Sequence, residues 1–98
     1  MKKKNNKYRL TLAEVSLKDA SAPTQSLDFE FENHDNIFNI IEKVESKNIF
    51  ENAKDAKKFA VGLKLFGEVL LRNRNHEIFS DLQTHFKGFM VKLKSYNG

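Results

Sequence analysis

The residues that could do chemistry in this 98-residue chain are three histidines, a run of alternating acids and two glycines set among apolar residues. A metal site on one helix needs two imidazoles on one face, at a spacing of three or four residues or within an HExxH run. His34, His76 and His85 stand in no such relation, and the chain has no cysteine to supply a thiolate or a disulfide. Beside Asp35, His34 reads as part of a turn, and His76 as a surface or capping residue. Nucleophilic catalysis would need a Ser or Thr held by a base, and no Gly-x-Ser-x-Gly elbow is present. Asp28, Glu30 and Glu32 share one face of an alternating segment, and paired carboxylates can perform acid-base work when burial separates their pKa values. Leu27, Phe29 and Phe31 occupy the opposite face, so the acids point to water. Gly62 and Gly67 fall inside a helical pattern and not in a phosphate-binding loop after a strand. On this reading no catalytic residue, cofactor-binding residue or metal ligand is assigned, and the chain is not an enzyme.

The elements that would position these residues follow from periodicity. Tyr8, Leu10 and Leu12 alternate with polar or small neighbours, as do Leu27, Phe29 and Phe31, which is the period of half-buried strands. Between them, Lys18 to Gln25 holds turn-formers such as Asp19, Ser21 and Pro23, so the strands form an antiparallel pair with a long loop. Asn33 or Asp35 then caps a helix running from Ile37 to about Lys47. Ile49 and Phe50 are expected to plug the edge of the core, Asn52 to cap a long helix with Asp55 in its first turn, and Glu77 to Ser95 to form the last helix.

The long helix is the centre of the pattern. At about 100° per residue, Phe59, Leu63, Phe66 and Leu70 form one stripe flanked by further apolar residues, which predicts an element covered on several sides. Gly62 and Gly67 each cost roughly 1 kcal/mol against Ala in a helix interior. Their position beside the stripe predicts close approach by a neighbouring backbone.

The formal charge of +4 is accounted for by Lys2, Lys3, Lys4 and Lys7, which leaves residues 8–98 neutral. Residues 1–7 are therefore read as a flexible basic tail and residues 8–98 as a single α+β domain. Within that body, Asp28 to Asp55 holds eight acids and three bases, whereas Lys57 to Gly98 holds three acids and eight bases. Arg72, Arg74, His76 and Lys87 form the candidate interaction surface. Without aromatic residues interleaved on an exposed strand, nucleic acid ranks behind protein as the partner. No apolar run suits a signal peptide or a membrane span, so the expected location is cytoplasmic, with no membrane partner.

The run FEFENHDNIF from Phe29 to Phe38, followed by GLKLFGEVLLRNRNHEIF from Gly62 to Phe79, resembles a family of short bacterial proteins known only as domain of unknown function 3861. The resemblance covers nearly the whole chain after the lysine tail. It implies a strand pair followed by helices and a bacterial cytoplasmic origin, and it supplies no activity, ligand or catalytic residue. The combined expectation is an α+β fold, an antiparallel two-stranded hairpin followed by three helices packed around a central apolar helix. Its work is expected to be protein interaction or assembly without a cofactor. A homodimer formed across the first strand is the expected assembly, and the alternative is a nucleic-acid accessory role for the lysine tail with Arg72 and Arg74.

Overall fold

The computed structural model describes residues 5–97. Two strands, β1 (Asn6–Ala13) and β2 (Ser26–Asn33), precede three helices, α1 (Ile37–Ser46), α2 (Ala53–Arg72) and α3 (Glu77–Ser95), giving the α+β architecture the periodicity implied. The chain divides into two compact units, Met1–Asp35 and Asn36–Gly98.

In the first unit β1 and β2 pair antiparallel, with Tyr8 opposite Phe31, Leu10 opposite Phe29 and Leu12 opposite Leu27 on the apolar face. The other face sets Lys7 opposite Glu32, Arg9 opposite Glu30 and Thr11 opposite Asp28. Alternation alone marked Tyr8 as the start of order, but β1 begins at Asn6. The Lys7 ammonium and the Arg9 guanidinium both reach Glu30, at 3.3 and 3.2 Å, and so draw the strand's polar start into the ladder. The remaining tail lysines, Lys2, Lys3 and Lys4, lie outside the described residues.

The loop between the strands is closed by its own polar groups. Glu14 donates its backbone N–H to the Gln25 carbonyl at 2.9 Å, and its carboxylate accepts the N–H groups of Thr24 and Gln25, both at 2.9 Å. Asp19 accepts from the Ser21 hydroxyl at 2.6 Å and the Ser21 N–H at 3.0 Å, a local Asx arrangement beside Ala20, whose φ of 65° is left-handed.

In the second unit each helix starts on a side-chain acceptor. Asn36, and neither Asn33 nor Asp35, caps α1 by accepting from the N–H groups of Phe38 and Asn39 at 3.0 and 3.2 Å. The Asn33 side chain is engaged instead by the Asp35 N–H at 2.9 Å, in the turn before the helix. Asn52 caps α2 through the Lys54 N–H at 2.8 Å. After α1, Asn48 closes the helix at φ 55°, a conformation Asn tolerates better than most residues.

The core of this unit joins α1 to α2. Val44, Ala56 and Ala60 are buried together, with Ile40, Ile41, Phe50 and Phe59 packed around them. Phe50 plugs the edge as expected, its ring 5.4 Å from Phe59, while Ile49 stays exposed. The buried stripe of α2 is Ala56, Ala60, Gly67 and Leu70, rotated from the stripe of large residues that periodicity marked. Small side chains let neighbouring elements come close, so they take the centre of the contact and the larger Phe59 and Phe66 become its shoulders. Phe66 is consequently 43% exposed and is not an enclosed core residue.

Candidate interaction surface

The α2–α3 pair is antiparallel, since rising positions on α2 meet falling positions on α3. Phe59 meets Phe89 with ring centres 6.1 Å apart, Phe66 meets Phe86 at 5.8 Å, and the Gln83 amide donates to the Leu70 carbonyl at 3.1 Å. At about 100° per residue, Gly62, Phe66 and Val69 fall on one flank of α2, opposite the Ala56 and Ala60 flank that packs on α1. Ile78, Leu82 and Phe89 form the corresponding flank of α3. Antiparallel helices viewed along one axis turn in opposite senses, so the two flanks share one side of the pair. They make a continuous apolar surface, along which Val69 is 43%, Phe89 44% and Ile78 72% exposed. Lys58 and Lys92 border it at one end.

The glycines divide across this geometry. A Cβ on Gly67 would stand 3.3 Å from Cζ of Phe86, so the close neighbour is a side-chain ring and not the backbone that the wheel suggested. A Cβ on Gly62 would meet nothing within 4 Å. The expected close approach at Gly62 is therefore absent within the chain, and this glycine lies on the exposed apolar flank.

Of the residues singled out from the sequence, Arg72, Arg74 and His76 gather at the turn between α2 and α3, and Lys87 sits about 15 Å further along α3. Arg72 lies 3.5 Å from Glu68, one turn earlier on α2. His76 is the N-cap of α3, its Nδ1 accepting the Ile78 N–H at 3.1 Å while its ring sits 6.2 Å from Phe79. His34 stands in the turn before α1 with Nε2 3.4 Å from Asp35, and His85 is exposed on α3. Among the described residues no group of three His, Asp or Glu is placed to hold a metal ion. Glu30 is the acid with the most defined surroundings on the hairpin's polar face. The Lys7 ammonium and the Arg9 guanidinium bonded to it hold its pKa below the ordinary carboxylate value. That is the signature of a fixed ion pair at the surface, with no second carboxylate sharing its proton.

A family model described as a domain of unknown function with a solved structure, DUF3861, matches residues 6–95. The chain belongs to this family. A solved structure similar to it is a protein of unknown function from Pectobacterium atrosepticum, at 37% sequence identity and a TM-score of 0.79, covering 92% of this chain and 97% of that one. No protein of curated function matches the chain. The DUF3861 pattern extends over both units, so the hairpin and the helices are inherited together.

Sequence reasoning missed the exposed flank. Ile78, Leu82 and Phe89 share the helical spacing of Phe79, Phe86 and Met90, so periodicity alone places all six on one apolar arc of α3. The breadth of the apolar arc on α3 was the available signal. An arc wider than one neighbouring helix can cover implies a remainder, and here the remainder is this flank.

Proposed function

We propose that the domain works by associating with protein, as a small interaction or assembly module, and that it performs no catalysis. The observation that carries this reading is the apolar flank of Phe66, Val69, Ile78, Leu82 and Phe89, which stays exposed although Gly67 and Leu70 on the same helix pair are buried. Large contiguous apolar surface on a folded domain marks a place where another molecule docks. The Arg72 and Arg74 region supports nucleic acid less well, because Glu68 offsets Arg72 and Lys87 stands apart from both.

Cross-linking of the native chain in cell extract with a lysine-reactive reagent, followed by peptide mass spectrometry, tests the reading. Lys58 and Lys92, at the border of the flank, are expected to link to another polypeptide or to a second copy. The double variant Val69→Glu with Phe89→Glu should lose those links while keeping its helical circular dichroism. A native chain that yields only intrachain links would overturn the assembly reading.

A further inference from the structure

We propose that two copies of this chain join through β1 in one register, antiparallel about a two-fold axis at Leu10, to make a four-stranded sheet. This goes beyond the apolar flank of α2 and α3: it uses other residues, those of β1, and its partner is a second copy.

The phase of the pairing is fixed by β1 itself. Glu14 donates its N–H to the Gln25 carbonyl across the hairpin, and the backbone groups of an antiparallel strand alternate between its two neighbours. Within β1, then, Tyr8, Leu10 and Leu12 turn their N–H and C=O groups toward β2, and Lys7, Arg9, Thr11 and Ala13 turn theirs outward. These four residues are exposed. A two-fold pairing must hydrogen-bond outward residues to outward residues, which leaves few registers.

Charge selects among them. Centred on Arg9, the two guanidinium groups would face each other. Centred on Leu10, Arg9 faces Thr11 of the second copy, Lys7 faces Ala13, Asn6 faces Glu14, and no like charges are opposed. The same register sets Tyr8 against Leu12 and Leu10 against itself. The apolar faces of both hairpins then become continuous, with cover for Leu12, which is 66% exposed in the single chain. Centring on Thr11 also avoids opposed charges, but it shortens the paired stretch and sets Tyr8 against Glu14.

The outer edge of β2 does not offer this. Its outward residues are Ser26, Asp28, Glu30 and Glu32, so a self-pairing centred within the acid run opposes carboxylates. Head-to-tail pairing of β1 with the next copy's β2 would match charges but would not close, and would extend without limit. Glu30 already holds Lys7 and Arg9 of its own chain, which weakens that alternative.

The absence of cysteine makes the register directly testable. At the axis, the Leu10 Cα atoms of a non-hydrogen-bonded pair stand about 4.5 Å apart, within disulfide range. Leu12 of the two copies would be about 14 Å apart. Under mild oxidation Leu10→Cys should form a covalent dimer, and Leu12→Cys, although more exposed, should not. Thr11 supplies a second test that does not depend on a thiol. Thr11→Lys faces Asp28 in its own hairpin and Arg9 of the second copy, so it should weaken the dimer about tenfold by light scattering without loss of folded signal. Thr11→Glu should tighten it. Any of these results would overturn the proposal: a monomer at all accessible concentrations, oligomers growing beyond two, cross-linking at position 12 in preference to 10, or the reverse order of the two Thr11 variants. A dimer dispersed by Val69→Glu with Phe89→Glu but indifferent to Thr11 would reject the strand pairing while leaving the assembly reading intact.

Discussion

Ala60 is fully buried, and Phe66 on the same helix is 43% exposed. Size therefore does not rank these residues by energetic weight. Leu70 is fully buried, so Leu70→Ala should cost about 2 to 5 kcal/mol in urea unfolding. Phe66→Ala should cost clearly less, because much of the phenyl ring is already in water. A Phe66→Ala loss equal to that of Leu70→Ala would show that the ring is enclosed in solution. The two helical glycines give an opposed pair. Gly62→Ala adds a Cβ in open space and should raise stability by up to about 1 kcal/mol, whereas Gly67→Ala should gain less, since the Phe86 ring must shift by a few tenths of an ångström. Equal gains at both positions would mean that the Phe86 contact carries no weight.

At the scale of elements, strand and helix identity was legible from the period of the apolar residues, and each helical run opens on a residue with a side-chain acceptor. Asn36, Asn52 and His76 each take up N–H groups that the first helical turn leaves unpaired. His76 is the least usual of the three. Replacing it with Asp, a stronger cap that also suits the positive end of the helix dipole, should raise the melting free energy by up to about 1 kcal/mol, and His76→Ala should lower it by a similar amount. Thermal denaturation of the two variants decides this, and a destabilised Asp variant would place the value of His76 in its ring contact with Phe79. The cap of α1 was misassigned because Asn33, Asp35 and Asn36 are all capping types within four residues. Only the backbone turn, which uses Asn33 for the Asp35 N–H, leaves Asn36 in position. The orientation of α2 was legible in outline but not in rotation, since an apolar arc this wide does not reveal which part of it meets a neighbour.

At the scale of the whole molecule, the carboxylates with lowered pKa values among the described residues all belong to the first unit. Glu14 is lowered by the N–H groups of Gln25 and Thr24, Asp19 by the Ser21 hydroxyl and N–H, and Glu30 by Lys7 and Arg9. A carboxylate whose folded pKa lies below its unfolded value contributes stability that is present above the unfolded pKa and lost as pH falls through the folded one. Amide exchange across 6–33 should therefore accelerate as pH is lowered below about 4.5, the ordinary glutamate value, after correction for the intrinsic rate. Glu14→Gln should flatten part of that dependence, and an unchanged profile would mean the loop clasp does not form in solution.

The division of the chain at Asp35 also has a consequence in time. Translation at about 5 to 20 residues per second takes roughly 3 to 13 s to add the 63 residues from Asn36 to Gly98. A hairpin forms in about 1 to 10 μs. The strand pair is thus complete as a sequence seconds before the last helix is, beside identical nascent chains on the same message. An isolated hairpin is marginal in that interval, and the two-fold pairing proposed above would add the two strands of a neighbour's hairpin to it. Under the pairing proposed above, polysomes translating this message are where the four-stranded sheet would first assemble.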